Sequence, residues 1–190
     1  MANFRDLEPA KVIIGEETMI IAAHSPTAPF EDKFFPLHLA LVSIGDNMMP
    51  MGYWTLISKE PFRFLISMGV GNYSLSLIRK YREAAIHFMP WSQREKVVRA
   101  GWVSGRDVNK AEYLGFTLQP AEKLQHTKLV EGADTTFETV VHQEIEGLSR
   151  EFAPFILDVV TVHGKAHKDP ILFLSRKDFA TLGEGWKYRR

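Results

Sequence analysis

The order of elements predicts a mainly β fold with helical insertions, and three observations carry that reading. Apolar runs rich in β-branched and aromatic residues recur along the chain, from Leu37–Ile44 (LHLALVSI) to Phe155–Val162 (FILDVVTV). Helical spacings interrupt them in a few short stretches. There is no repeat and no regular strand–helix alternation, so a closed β-barrel with helical insertions fits better than β-α-β units; periodicity alone leaves a general α+β sheet open. At 190 residues the chain is expected to be one domain over 1–190, with room for an appended hairpin or arm.

Taken in order, residues 11–15 (KVIIG) read as a short β-run closed by glycine, and Thr18–Ala23 as a strand or short helix. Leu37–Ile44 is apolar almost throughout, which predicts a strand buried on both faces. Gly45–Gly52 reads as a loop containing Met48, Met49 and Met51, methionines that either fill the core or line a planar ligand. Phe62–Met68 is a strand begun after Pro61, and the glycines of GVGN supply positive φ at its end. Asn72 is placed to cap a helix over Tyr73–Arg82, and Ala84–Met89 returns as a strand stopped by Pro90. Ser92 with Glu95 has capping-box spacing for a helix through Val98. Asp107 is expected to cap a third helix, Val108–Leu114, ended by Gly115. Beyond it strands are expected at Phe116–Leu118, Thr136–Val141, Phe155–Val162 and Ile171–Leu174, with Gln143–Phe152 a weak helix because of Gly147.

Composition removes several function classes. Lys and Arg number 23 and Asp and Glu 23, so no net field draws nucleic acid or an anionic membrane. The chain has no cysteine, which excludes thiolate nucleophiles, disulfides, Cys-bound zinc and iron–sulfur clusters. Electrons, if moved, need a bound cofactor. The N-terminus lacks a secretory pattern and no apolar run approaches a membrane span, so the expected location is the cytoplasm. His163 and His167 stand four apart with Gly164 between them, which argues against a helical metal pair, and no metal is expected.

Two stretches carry polar chemistry. Gly69-Val70-Gly71-Asn72-Tyr73-Ser74 leads from strand to helix, where exposed N–H groups bind phosphate. Ser74 stands where a dinucleotide fingerprint has its third glycine, which argues against a Rossmann unit; a plain turn remains open. Ser104-Gly105-Arg106-Asp107-Val108-Asn109-Lys110 sets a hydroxyl and two cations around a helix start, suited to an anion or to a solvated cap.

These stretches together resemble a known family. Asn47, Met49, Met51, Thr55, Ile57 and Ser58 stand in ungapped register with D-x-x-x-N-x-M-T-M-S-W-H-T-x-I-S. Tyr73, Ser74, Leu77 and Ile78 match Y-S-x-x-L-I, and Ser104 to Val108 with Lys110 match S-G-R-D-V-D-K. The pattern is that of the flavin reductase-like FMN-binding split barrels, which include flavoredoxins, and it runs from about Leu41 to Gly115. Pro50, Gly52, Tyr53 and Trp54 depart from it; Pro50 and Gly52 each remove a hydroxyl used around the cofactor, and Pro50 an N–H donor, which bears on ring contacts more than on the phosphate.

The resemblance implies a split-barrel flavoprotein in which NADH or NADPH passes hydride to FMN without a side-chain nucleophile. It implies a phosphate site at Asn72, Tyr73 and Ser74, with the Ser74 hydroxyl facing the phosphate, helped by Ser104, Arg106 and Lys110. The ring would meet Asn47, Met49 and Met51, then Trp54, Thr55, Leu56, Ile57 and Ser58. Trp54 either stacks on it or packs at a barrel rim. A single compact phosphate site suggests FMN in preference to FAD. The family also implies a homodimer with the flavin near the subunit interface. Other readings are an electron carrier of the flavoredoxin kind with tightly bound FMN and a protein redox partner, a non-catalytic flavin-binding module, and another reaction on the same scaffold.

Overall fold

In strand β3 (Leu37–Ile44) both faces are buried, as its near-continuous apolar run predicts. Ala40, Val42 and Ile44 join one apolar cluster, while Leu39 and Leu41 join another. The computed structural model describes residues 10–14, 17–21, 36–174 and 178–183. The chain divides into two compact units, residues 1–34 and 35–190. In the first, β1 (Ala10–Ile14) and β2 (Glu17–Ile21) form an antiparallel pair, Ala10 opposite Ile21 and Ile14 opposite Glu17. Thr18–Ile21 is thus strand rather than helix, and Gly15, Ala22 and Ala23 lie outside the described residues.

Among the described residues the second unit is built on a nine-stranded sheet. After β3 come β4 (Asn47–Met51), β5 (Trp54–Lys59), β6 (Phe62–Gly69), helix α1 (Tyr73–Tyr81) and β7 (Glu83–Phe88). A 3-10 turn at Trp91–Gln93 leads into α2 (Arg94–Arg99), followed by α3 (Lys110–Leu114) and the small pair β8 (Leu118–Gln119) and β9 (Leu129–Val130). The long hairpin β10 (Thr135–Glu144) and β11 (Phe152–Gly164) precedes the short β12 (Ile171–Phe173) and β13 (Phe179–Ala180). Neighbouring strands run β13-β12-β3-β7-β10-β11-β6-β5, with β4 also on β3. Only Gly52 and Tyr53 separate β4 from β5, so the chain itself joins the two ends of the path β4-β3-β7-β10-β11-β6-β5. The Trp54 indole N–H donates across this join to the His38 carbonyl at 2.7 Å. The result is a mainly β barrel with helical insertions.

Inside it, Met51, Ile66, Met68, Ile86, Phe155 and Leu157 pack with the inward residues of β3. Leu75 and Ile78, three apart on α1, enter the same cluster and fix that helix on the barrel. On the outer side Val97, Ala111 and Leu114 of α2 and α3 cover Leu39, Leu41 and Met48. Each large apolar side chain so buried contributes about 1.5–3 kcal/mol. Among the described residues no helix is long and apolar enough to cross a membrane.

Several local expectations need correction. Gly45–Gly52 is largely strand β4, turned back on β3 by Gly45 at φ +62°, with Asn47 opposite Ile44 and Met51 opposite Ala40. Pro50 is tolerated there because β4 pairs with β3 alone among the described strands, leaving an edge on which a missing N–H breaks no ladder. Gly69 and Gly71 do not take positive φ. Asn72 sits at the N-cap of α1 without a side-chain capping bond, and Arg82, at φ +57°, closes the helix in left-handed conformation. Ser92 caps nothing, since α2 begins at Arg94 through the 3-10 turn. Asn109, not Asp107, caps α3, its side chain accepting from the Ala111 and Glu112 N–H groups; Gly115 ends that helix as expected, at φ +69°. Residues 143–152 are not helical, because Gly147 turns β10 into β11 at φ +74°.

His87, fully buried, links β7 to its neighbours. The Ser43 hydroxyl donates to the Lys128 carbonyl at 2.7 Å, so its oxygen accepts from His87 Nε2–H at 3.0 Å. Nδ1 then accepts from the Thr136 hydroxyl at 3.0 Å. This arrangement holds a neutral ring, and burial, partly opposed by Glu138, lowers the His87 pKa from 6.5 to about 3. Burial and the neighbouring His167 lower that of His38 to about 4. An unfolded chain therefore binds more protons than the folded one below about pH 6.5, and stability falls as pH drops through that window towards the folded values. We expect the free energy of unfolding to decline by on the order of 3 kcal/mol from His87 alone between pH 7 and pH 4. Urea titrations at three pH values in this range check it; equal midpoints and slopes would contradict the neutral-histidine assignment.

Candidate functional site

Asn47 opens β4 directly after the Gly45–Asp46 turn, and this register turns its side chain toward the start of α1. Its Nδ2 donates to Ser74 Oγ at 2.8 Å, in the first helical turn, while Oδ1 is buried without a hydrogen-bond partner. Gly105 closes over that oxygen: a Cβ at this position would lie 2.1 Å from Asn47 Oδ1 and 3.2 Å from Tyr73 Cδ1. The S-G-R segment thus needs glycine because it lies directly on the Asn47 amide. Behind it the Lys110 ammonium, 6% exposed, donates to the carbonyls of Met48 at 2.8 Å and Ala100 at 2.7 Å. Burial lowers its pKa. Lys110 therefore ties β4 to the end of α2 and is no free surface cation.

Around this knot lies a cavity of about 520 Å³. One wall is the approach to α1, Gly71 to Ser74; another is residues 100–106; Asn47, Met49 and Pro50 form the floor. The α1 N-terminus has no side-chain cap and no acid in its first turn, which leaves its positive end open to an anion. Arg106 is exposed, its guanidinium carbon 5.3 Å from the centre of the Tyr73 ring, and its N–H donates to Ser104 Oγ at 3.2 Å. Ser104 also accepts, through its carbonyl, from the Asp107 and Val108 N–H groups. This local turn presents Arg106 beside the helix end.

The structure gathers eight of the expected residues here: Asn47, Met49, Asn72, Tyr73, Ser74, Ser104, Arg106 and Lys110. Ser74 is 3% exposed, so its hydroxyl serves to hold Asn47 rather than to face open space. The other six do not line the cavity. Met51 is buried in the barrel core. Trp54 packs in an aromatic cluster with ring centres 5.0 Å from Phe88 and 5.3 Å from His38. Thr55, Leu56 and Ile57 are exposed on β5, with Ser58 partly so. Beside Tyr73, the cavity has a further aromatic group in Trp102, 72% exposed. Trp102 and the packing of Gly105 were not read from sequence; their signal was position alone, within two residues of Ser104. Pro50 also gains an account, since Gly101 leaves room for its ring: a Cβ there would be 2.9 Å from Pro50 Cγ.

Residues 33–183 match the family model of the flavin reductase-like domain. The chain belongs to the flavin reductase-like family. An uncharacterised protein of Archaeoglobus fulgidus is 27% identical over 142 residues, which cover 73% of this chain and 78% of that protein. An FMN-binding protein from Thermus thermophilus, solved with bound 1-cyclohex-2-enone, shares the fold at a TM-score of 0.78 and 20% identity, over 88% of this chain and 97% of that one. The flavoredoxin of Desulfovibrio vulgaris (Miyazaki F) shares it at 0.73 and 20% identity, over 86% and 95%. Family membership agrees with the cavity's chemistry: an uncapped helix end and Arg106 suit a phosphate, while Met49 and Trp102 offer soft and flat surfaces to a planar ring.

Proposed function

We propose that this flavin reductase-like protein binds FMN in the cavity between α1 and residues 100–106 and accepts hydride there from NADH or NADPH. The observation that carries the reading is the meeting of the open α1 N-terminus with Arg106 and Ser104 at one cavity edge, in a chain of this family. When bound, the flavin supplies the hydride-accepting chemistry that a cysteine-free chain lacks. Arg106 and the α1 N–H groups hold the phosphate, worth about 0.3–1 kcal/mol from the helix end alone, with direct hydrogen bonds adding more. Lys110 keeps a positive charge under the cavity floor. Trp102 covers a ring face. The deciding experiment is the absorption spectrum of the purified protein before and after anaerobic NADH or NADPH. We expect flavin absorbance that bleaches with one of them; no flavin uptake would overturn the reading, and bleaching by dithionite alone would turn it toward an electron carrier of the flavoredoxin kind.

We also propose a homodimer. Strand β5 ends the sheet path with Leu56 42% and Ile57 45% exposed, an apolar edge of the sort that soluble proteins cover. Thr55 to Ser58, which stand apart from the cavity beside α1, then lie at the subunit boundary. At about a hundredfold excess over its dissociation constant, FMN should stabilise the folded state by ~2.7 kcal/mol and raise the melting temperature accordingly. Light scattering at micromolar protein checks the assembly: a monomer with and without FMN sinks the dimer.

A further inference from the structure

A further cavity, of about 450 Å³, lies along α2, and we infer that it receives a small aromatic carboxylate. Among the described residues it shares only Trp102 with the cavity beside α1, so the inference stands apart from what occupies that cavity.

The helix sets the arrangement. Val97 is buried in the cluster of Leu39, Leu41 and Met48, and that anchor leaves Arg94, Val98 and Arg99 on the cavity, Arg94 and Val98 one turn apart. Arg94 is prearranged: its guanidinium carbon stands 4.7 Å from the centre of the Trp91 ring, and Nη1–H donates to the Trp91 carbonyl at 3.2 Å. The stacking occupies a face of Trp91, but it leaves the donors at the guanidinium edge free to point away in the plane of the group. Arg99 pairs with Glu95 at 3.7 Å, and because that carboxylate is 81% exposed the pair is worth little and yields readily. The open ring is Trp102, whose largely exposed indole has no ring, cation or side-chain hydrogen-bond partner among the described residues. Val98 and Phe179, both half-buried, add apolar surface. Two guanidiniums against one solvent-facing carboxylate make the cavity positive, and Trp102, Val98 and Phe179 make it apolar. An anion carried on a flat ring satisfies both: its carboxylate takes two in-plane N–H groups of Arg94, and its ring lies on Trp102. A cation is repelled, and a neutral arene gains the ring contact alone. The volume lies within the range of small-ligand sites. No motif announces this site, because its walls join residues 91–102 to Phe179.

The test is calorimetric titration of the flavin-free full chain with 2-naphthoate and with 2-naphthalenemethanol, its uncharged match. The proteins are wild type, Arg94→Gln, Trp102→Ala and, as a charge control lining neither cavity, Arg79→Gln. All three positions are exposed, so the variants should fold. We expect 2-naphthoate to bind wild type at least about tenfold more tightly than the alcohol. Arg94→Gln should weaken the acid about tenfold and leave the alcohol unchanged, erasing the difference between them. Trp102→Ala should weaken both ligands by the same factor and keep their ratio, and Arg79→Gln should change neither. Three results overturn the inference: no 2-naphthoate binding to wild type, equal binding of acid and alcohol, or unchanged 2-naphthoate binding in Arg94→Gln or in Trp102→Ala. FMN titrations of wild type and Arg94→Gln run alongside, and Arg94→Gln should not alter FMN affinity. Binding of 2-naphthoate without any FMN binding leaves this site standing and overturns the flavin reading; FMN binding without 2-naphthoate binding does the reverse.

Discussion

Replacing Glu138 by alanine is expected to cost about 3–5 kcal/mol of stability, the penalty of removing one partner from a buried charged network. Glu138 is fully buried on β10, and its carboxylate accepts from the N–H groups of Glu122, Lys123 and Leu124 at 2.8, 2.7 and 3.2 Å. It also accepts from His163 Nε2 at 2.7 Å. Burial pushes its pKa up, but the N–H donors and His163 outweigh that, and the carboxyl is held below its ordinary range. One strand away, Glu83 accepts from Gln125, His126 and Thr127. Two carboxylates thus satisfy six consecutive backbone donors in a segment with no regular structure of its own. Removing Glu138 leaves three of these without their acceptor, at about 1–3 kcal/mol for each that water cannot reach. The exposed Arg79–Glu144 pair is the control, and Glu144→Ala should cost under about 1 kcal/mol. Urea unfolding of both variants decides: a Glu138→Ala protein within about 1 kcal/mol of wild type, the limit of an exposed ion pair, would falsify the role.

The staple reaches the cavity. Thr127 Oγ1 accepts from the Gly45 N–H at 3.1 Å, and the Lys128 N–H donates to the Gly45 carbonyl at 3.0 Å. That turn sets the register in which Asn47 opens β4. Glu138→Ala proteins that remain folded are therefore expected to bind FMN more weakly as well.

What was legible in the sequence follows from which forces are local. The β3, β6 and β7 runs and helix α1 were readable within a residue or two, because an apolar run or a helical stripe carries its own periodicity. Strand β4 was not: Asn47-Met48-Met49-Pro50-Met51 shows no alternation and contains a proline, and only its pairing with β3 makes it a strand. Asp107 and Asn109 are equally good caps by composition, and the turn around Ser104 decided between them. At the site, the motif spacing named the segments that meet at the cavity. It did not say which side of each strand faces inward, so it left Trp54 open between stacking on a ligand and packing at a barrel rim, and the structure packs it in the aromatic cluster. Nor does a sequence show that Lys110 is buried, since its partners are carbonyls at Met48 and Ala100. The Glu83 and Glu138 contacts are invisible for the same reason: their acceptors and donors are brought together only by the sheet.

Gly105→Ala is expected to weaken FMN binding by about a hundredfold, a loss of ~2.7 kcal/mol, while costing about 1–3 kcal/mol of stability from overpacking. The added methyl would sit 2.1 Å from Asn47 Oδ1 and 2.8 Å from its Cγ, closer than any real contact. Asn47 cannot yield freely, because its Nδ2 is bonded to Ser74 and the residue is buried. Either the Asn47–Ser74 bond breaks or the 104–106 turn lifts, and the second moves Arg106 away from the α1 N-terminus. Gly71→Ala is the matched control on the same cavity: its Cβ meets nothing within 4 Å and its φ is not positive, so folding should be unchanged or slightly favoured. A double-mutant cycle separates clash from site. Adding Asn47→Ala to Gly105→Ala removes the atom struck and should restore part of the lost stability, yet FMN affinity should stay low because the polar knot under the cavity is gone. Flavin fluorescence titration and urea unfolding of the four proteins give the result. Gly105→Ala binding FMN within about twofold of wild type would show that this glycine does not shape the proposed flavin site.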